Sequence, residues 1–306
     1  ILVQTPYIAA MGEGGEPWVN GASMNNQGVE FTVSFKSDPS SEFQWAVSAN
    51  IGTYKTELTD LPSNVINKYA GDGVHDLILG RSPNSAYGLV ADGIFKTQEE
   101  VDAHADQPGK AVGRIRYKDL DGDGVINETY DRTWIGCYDP DFFGGLNFDF
   151  AYKGFDLNLF FEGMFGNDVN SDWKKESDIW LFTNPAWKNH ATRMLGGWSP
   201  DNPNSDIPAI SNNTANQEQR FSSWFIEDGS YIKLRNIELG YTFPTKLIKK
   251  MHMSNLRLYA AAYNVFTLKK FWGDDKYTSF DPERPSYHYL TPFTFNFGIN
   301  ISQLNI

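Results

Sequence analysis

Polar and apolar residues alternate with a period of two through much of this chain. Val29, Phe31, Val33 and Phe35 interleave with Glu30, Thr32, Ser34 and Lys36, and Phe43, Trp45, Val47, Ala49 and Ile51 with Gln44, Ala46, Ser48, Asn50 and Gly52. The same rhythm runs from Leu146 to Tyr152, from Phe155 to Glu162 and from Phe293 to Ser302. Successive side chains of a strand point to opposite faces, so each run predicts a strand with one greasy and one polar face. Two further runs are less regular. Leu256 to Phe266 alternates aliphatics with Arg257, Tyr259 and Tyr263. In Ile232–Thr242 the parity changes between Leu234 and Ile237, which predicts a β-bulge near Arg235 and Asn236. The predicted strands are 28–36, 43–54, 142–152, 154–165, 230–242, 255–266 and 292–302.

The connections alternate in length. Residues 37–42, 152–154 and 243–254 make short ones; residues 55–141, 166–229 and 268–291 make long ones. Loops this long are uncommon in compact domains. Short turns at one end and long loops at the other describe an outer-membrane barrel, with periplasmic turns and extracellular loops. The predicted fold is therefore all-β: a transmembrane antiparallel β-barrel with long extracellular loops. Seven strands is an odd number, whereas bacterial single-chain barrels normally close with an even one, so the chain reads as the last part of a larger barrel. A secreted β-sandwich, calcium-stabilised and glycan-binding, is the alternative, since sandwich strands alternate too. Against it, the apolar faces carry no charge and the polar faces are rich in Asn, Ser, Thr and Gly.

Composition narrows the picture further. The 306 residues carry 26 Lys and Arg against 38 Asp and Glu, a formal charge of −12, which argues against nucleic acid as a partner. Mean hydropathy is −0.45, and no apolar run approaches the roughly 20 residues of a spanning helix. Strands pass that test unnoticed. Aromatics at 15% beside 27 glycines favour strands and turns. A single cysteine, Cys137, excludes a disulfide framework. The first residues, Ile1-Leu2-Val3-Gln4, lack Met and a basic leader, so we expect a processed or partial chain.

The sharpest local motif is Asp119-Leu120-Asp121-Gly122-Asp123-Gly124-Val125-Ile126. It matches the first half of an EF-hand-type loop: carboxylates at positions 1, 3 and 5, Gly at 6, and a main-chain carbonyl, here from Val125, at 7. Oxygen-only ligands select Ca²⁺ over zinc or copper. Position 12 is Tyr130, so Asp131 or Glu128 would have to replace the usual bidentate acid. A metal-free, Asx-rich turn is the competing reading, and either one is structural. Catalytic constellations are absent from the sequence. His75, His104, His190, His252 and His288 show no ligand spacing, and there is no nucleophile elbow, Walker A or dinucleotide fingerprint. We expect no enzyme. The long loops are rich in tryptophan, and Trp173, Trp180 and Trp224 are candidates for stacking on substrate, with Trp187, Trp198 and Trp272 nearby. A role in folding the loops is the alternative for all of them. Residues 172–195 have helical character broken by Pro185, and Phe243–Lys250 reads as one helical turn.

Several stretches resemble the C-terminal part of the SusC/RagA-type TonB-dependent transporters of Bacteroidetes outer membranes. They are Asn25–Phe31, Ala91–Glu100, Arg116-Tyr117-Lys118 running into Asp119–Ile126, and Asp139–Asn147. Further on come Trp198-Ser199-Pro200, Asn202–Pro208, Glu227–Ile237 and Thr294–Gly298. They keep the family's order and cover almost the whole chain. The resemblance implies a 22-stranded barrel whose plug and TonB box lie outside this chain. It also implies a SusD-like surface lipoprotein as partner and TonB-driven import of an oligosaccharide or peptide across the cell outer membrane. One departure is the final Ile306, where outer-membrane barrels usually end in an aromatic.

Overall fold

The computed structural model describes residues 2–4, 18–62, 77–179, 191–211, 215, 217–269, 278–285 and 290–303. Two short strands, β1 (Leu2–Gln4) and β2 (Trp18–Asn20), pair antiparallel. The long strands β3 (Ser23–Lys36) and β4 (Phe43–Asp60) follow. The next loop holds β5 (Ser85–Leu89), β6 (Ala91–Ile94), helix α1 (Gln98–Ala103), β7 (Ile115–Tyr117) and β8 (Arg132–Cys137). The hairpin of β9 (Phe142–Tyr152) and β10 (Phe155–Phe165) leads to a second loop, carrying β11 (Asp168–Asn170), α2 (Asp172–Lys174) and β12 (Ile226–Asp228). Last come β13 (Tyr231–Thr242), α3 (Thr245–Ile248), β14 (Met253–Lys269) and β15 (Thr294–Gln303).

β3, β4, β9, β10, β13, β14 and β15 form one seven-stranded antiparallel sheet in which chain order is sheet order. These are the seven alternating segments of the sequence, several of them a few residues longer than the pattern marked. The register keeps one face apolar throughout. Val33 opposes Ala49, Val47 opposes Phe148, Phe148 opposes Leu159, Leu159 opposes Ile237, Ile237 opposes Ala262, and Ala262 opposes Phe295. No second sheet covers this face among the described residues. Val29 is 70% exposed and Phe297 81%, which a sandwich core does not allow and a lipid-facing wall requires.

The bulge lies where the parity change put it. Phe160 opposes Asn236 while Phe161 opposes Leu234, leaving Arg235 unpaired on β13. Without that extra residue, Ile232 and Leu234 would turn from the apolar to the polar face.

Both rims of the apolar face are aromatic. At the end with the short turns, Phe43 opposes Tyr152, Tyr152 opposes Phe155, and Phe155 opposes Tyr241, a row across four strands. At the other end Phe142 opposes Phe165, with ring centroids 4.8 Å apart. The 11 residues of β9 join these rims. At about 3.4 Å per residue and a tilt of about 40°, they span about 26 Å, the height of the apolar band of an outer-membrane barrel.

The loops at the Phe142 end fold on one another. Leu89, Ile94, Ile115, Tyr117 and Ile126 from the first loop share a buried core with Phe225 from the second. The Leu89 amide donates to the Phe221 carbonyl at 3.1 Å, joining the two loops through the backbone. Of residues 172–195, Asp172–Ile179 are helical and a 3₁₀ turn begins at Thr192, while Pro185 lies outside the described residues. Residues 245–251 form the expected helical turn, as α3 followed by a 3₁₀ turn.

Candidate functional site

The polar face of the sheet carries a chain of side-chain hydrogen bonds across β9, β10 and β13. The Asn158 amide donates to Asn147 at 3.0 Å and to Asp149 at 2.7 Å, while Asn147 donates to Asp149 at 2.6 Å. Asn236, the residue after the bulge, donates to Asn158 at 2.9 Å. Toward the short turns, Arg257 on β14 binds Asp156 through both Nε and a terminal nitrogen, and Glu238 at 2.7 Å. Toward the long loops, Arg235 holds Glu162 in a two-pronged contact at 2.9 and 3.3 Å. Charges of both signs in paired positions suit a wet lumen wall and could not face lipid.

This upper cluster also captures the loop between β14 and β15. Lys233 donates to Asp281 at 2.6 Å and to Glu283, and Arg235 also binds Glu283. The Tyr231 hydroxyl reaches Glu283 at 3.0 Å. Partial burial pushes the Glu283 carboxyl up, but the hydrogen bonds from Lys233 and Arg235 outweigh it and hold the group below its ordinary range. Glu227 takes a second grip, accepting from the Thr278 amide at 3.0 Å and its hydroxyl at 2.8 Å. Sequence reasoning named Arg235 only as part of the bulge and did not single out the cluster. Its one visible signal is charge on the polar parity of β10, β13 and β14, beside a parity change.

The acidic loop follows its predicted form in part. Asp119, Asp121 and Asp123 come together, with one carboxylate oxygen from each lying within 4.8 Å of the others. Oxygens each 2.3–2.6 Å from one Ca²⁺ lie at most about 5 Å apart, so the spacing fits that ion. Gly122 and Gly124 take φ of +75° and +84°, which glycine adopts without strain, and their amides donate to Asp119 at 2.7 and 2.9 Å. Desolvation raises Asp119, and the hydrogen bonds it accepts, led by the Gly124 and Gly122 amides, together more than offset it, so its carboxyl sits below its ordinary value. At Asp121 the Asp123 amide favours the charge. Desolvation and the neighbouring Asp123 and Asp119 outweigh it, and this carboxyl is raised. Crowded carboxylates oppose one another's charge in this way. The main-chain carbonyl of Val125 accepts a 3.5 Å contact from the Asn127 amide.

Asp131, expected to complete the set, is placed differently. It is fully buried, and its two oxygens accept the backbone amides of Leu120 at 2.8 Å and Asn127 at 2.7 Å. It ties the ends of the loop together and stands outside the group of three.

The tryptophans divide. Trp224 and Trp198 pack against the shared loop core, and the Lys174 ammonium lies 4.8 Å from the Trp224 ring centroid. For Trp224 the structure thus favours the folding role over substrate stacking. Trp173 meets Phe280 edge-to-face at 4.7 Å, and Phe280 is 57% exposed. Trp180, Trp187 and Trp272 lie outside the described residues. A buried pair, Arg114 with Glu218 at 2.7 Å, bolts the second loop to the first, and Glu218 also accepts the Ile115 amide at 2.9 Å. Burial raises the Glu218 carboxyl, against the pull of Arg114.

An aromatic-rimmed apolar face about 26 Å tall, backed by an ionic wall, is the geometry of an outer-membrane barrel segment. The relatives agree. TonB-dependent receptor P3 of Formosa agariphila is 31% identical over 264 residues, 84% of this chain and 25% of that receptor. The chain belongs to the SusC/RagA family of TonB-dependent receptors. TonB-dependent receptor SusC of Bacteroides thetaiotaomicron is 25% identical over 92% of the chain and 27% of its own length. The solved RagAB peptide transporter superposes with a TM-score of 0.74 at 22% identity, over 98% of this chain and 32% of that one. No family model matches the chain. As a member of this family it is an outer-membrane protein. The chain spans about a quarter to a third of the length of the relatives it matches.

Proposed function

We propose that this chain is the C-terminal wall of a closed 22-stranded barrel. Through that barrel the whole receptor imports an oligosaccharide or a peptide, energised by TonB through a plug and TonB box elsewhere in the protein. A SusD-like surface lipoprotein is the partner above the loops. One observation carries this reading: the sheet joins a lipid-type face to an ionic face. Both of its edge strands, β3 and β15, are long and leave a row of backbone groups ready for pairing. The relatives are named as receptors or transporters, and the RagAB structures are described as a peptide transporter or importer, which favours transport over catalysis. Within the loops, Trp173 beside the exposed Phe280 is the tryptophan we assign to substrate contact. The test is uptake of labelled oligosaccharides and peptides by cells carrying or lacking the complete receptor, together with recovery of a surface lipoprotein on the purified receptor. The reading expects receptor-dependent uptake of one class that stops when TonB is inactivated; uptake indifferent to TonB overturns it.

We further propose that Asp119, Asp121 and Asp123, with the Val125 carbonyl, hold a structural Ca²⁺ that braces the first loop. Calcium should slow hydrogen exchange of the Gly122, Gly124 and Val125 amides in the complete receptor, and Asp121→Ala should abolish that response. The same calcium response in the variant sinks the assignment.

A further inference from the structure

The connection between β13 and β14 has a character unlike the rest of this acidic chain. From Phe243 to Ser254 it contains Lys246, Lys249, Lys250 and His252 and no acidic residue. The three lysines are exposed and enter no ion pair among the described residues, whereas Lys153, on the neighbouring turn, is matched by Glu42 at 3.1 Å. Lys246, Lys249 and Lys250 stand at i, i+3 and i+4, hence on one side of the helical turn. Leu247 and Met251, also four apart, present a second side, at 63% and 59% exposure. Ile248 is buried and fixes the orientation of the turn.

The level of this turn follows from the aromatic row. Tyr241 belongs to the Phe43–Tyr152–Phe155 rim, its ring lies 4.6 Å from Phe155 and 4.9 Å from Phe243, and the turn starts immediately after. Aromatic girdles mark the boundary between acyl chains and headgroups. The lysines therefore emerge at the headgroup level of the periplasmic leaflet, and Leu247 and Met251 sit where an apolar side chain can dip into the acyl boundary. Apolar residues beside a row of lysines on a short amphipathic turn match an anionic phospholipid in both chemistry and depth.

We propose that Lys246, Lys249 and Lys250, with Leu247 and Met251, form a binding site for an anionic phospholipid of the phosphatidylglycerol type in the periplasmic leaflet. The ammonium groups meet the phosphodiester and the two apolar side chains lie along its acyl chains. The site rests on the barrel reading above and adds a preferred lipid and a place for it.

The test is native mass spectrometry of the complete receptor in detergent, titrated with phosphatidylglycerol or phosphatidylethanolamine. Acylation of lysines by a water-soluble reagent is followed in parallel. The wild type should retain phosphatidylglycerol about tenfold better, and added phosphatidylglycerol should protect the three lysines. K246Q/K249Q/K250Q should retain both lipids equally, with folding and detergent dependence unchanged. Leu247→Ser with Met251→Ser should weaken retention while leaving the lysines in place. An unchanged lipid ratio in the triple variant overturns the proposal. So does shielding of the lysines in lipid-free receptor, which would mean that a protein segment covers the turn. A receptor that needs no detergent at all would instead overturn the barrel reading, so the two failures are distinct.

Discussion

His104 shows how desolvation acts on single residues in the loop body. Its ring lies 5.0 Å from Phe95, edge to face, and burial lowers its pKa, with Arg116 and Lys110 pushing the same way. The folded loop therefore favours neutral imidazole and the unfolded loop takes up the proton more readily. Stability from this group is full above the ordinary value of about 6.5 and is lost as pH falls below it. The protection factor of the Tyr117 amide, which donates to Gln107 at 3.0 Å in the same core, should fall as pH is lowered from 7 to 5. His104→Leu should flatten that dependence. Tyr117 itself, pushed up to about 12 chiefly by burial, takes no part in this range. Asp131 teaches a related lesson. Its spacing suits a metal ligand, yet a buried carboxylate flanked by two orphan amides satisfies them first.

At the scale of the element, the two faces of a strand make opposite predictions. Phe148 lies midway along the apolar side of β9, and Asn147 beside it faces the hydrogen-bonded wall. Phe148→Arg should cost about 2–4 kcal/mol of barrel stability, the expectation for a cation near the bilayer midplane. Asn147→Arg should cost far less. Denaturant unfolding of the complete receptor in lipid vesicles measures both, and equal costs would deny the assignment of faces. The strands were legible because burial by lipid imposes period two over whole segments, and the bulge at Arg235 because one slipped residue inverts the period. The ionic cluster of Glu162, Lys233, Arg235 and Glu283 was not. It depends on a loop that folds back 48 residues after Arg235, and no local pattern encodes that return. Of the candidate site, the Asp119–Asp123 grouping was readable from spacing alone. The fates of Trp173 and Trp224 were set by which loop packs on which.

For the whole molecule, the proposed barrel needs more strands than this one sheet with two unlike faces supplies. The long edges of β3 and β15 and the quarter-to-third share of the relatives' length agree on that point. The loop body, sharing a core between two loops and clamped by Arg114–Glu218 and by Lys233–Asp281, forms a preassembled roof over the polar wall. The central claim is that these strands face lipid with one side and an aqueous lumen with the other. Spin labels placed singly at residues 146–151 of the complete receptor, in a background with Cys137→Ser, test it most directly. Labels at Leu146, Phe148 and Phe150 should relax preferentially with lipid-soluble oxygen, and labels at Asn147, Asp149 and Ala151 with a water-soluble nickel chelate. Accessibility that fails to alternate, or alternates in the opposite phase, would contradict the account.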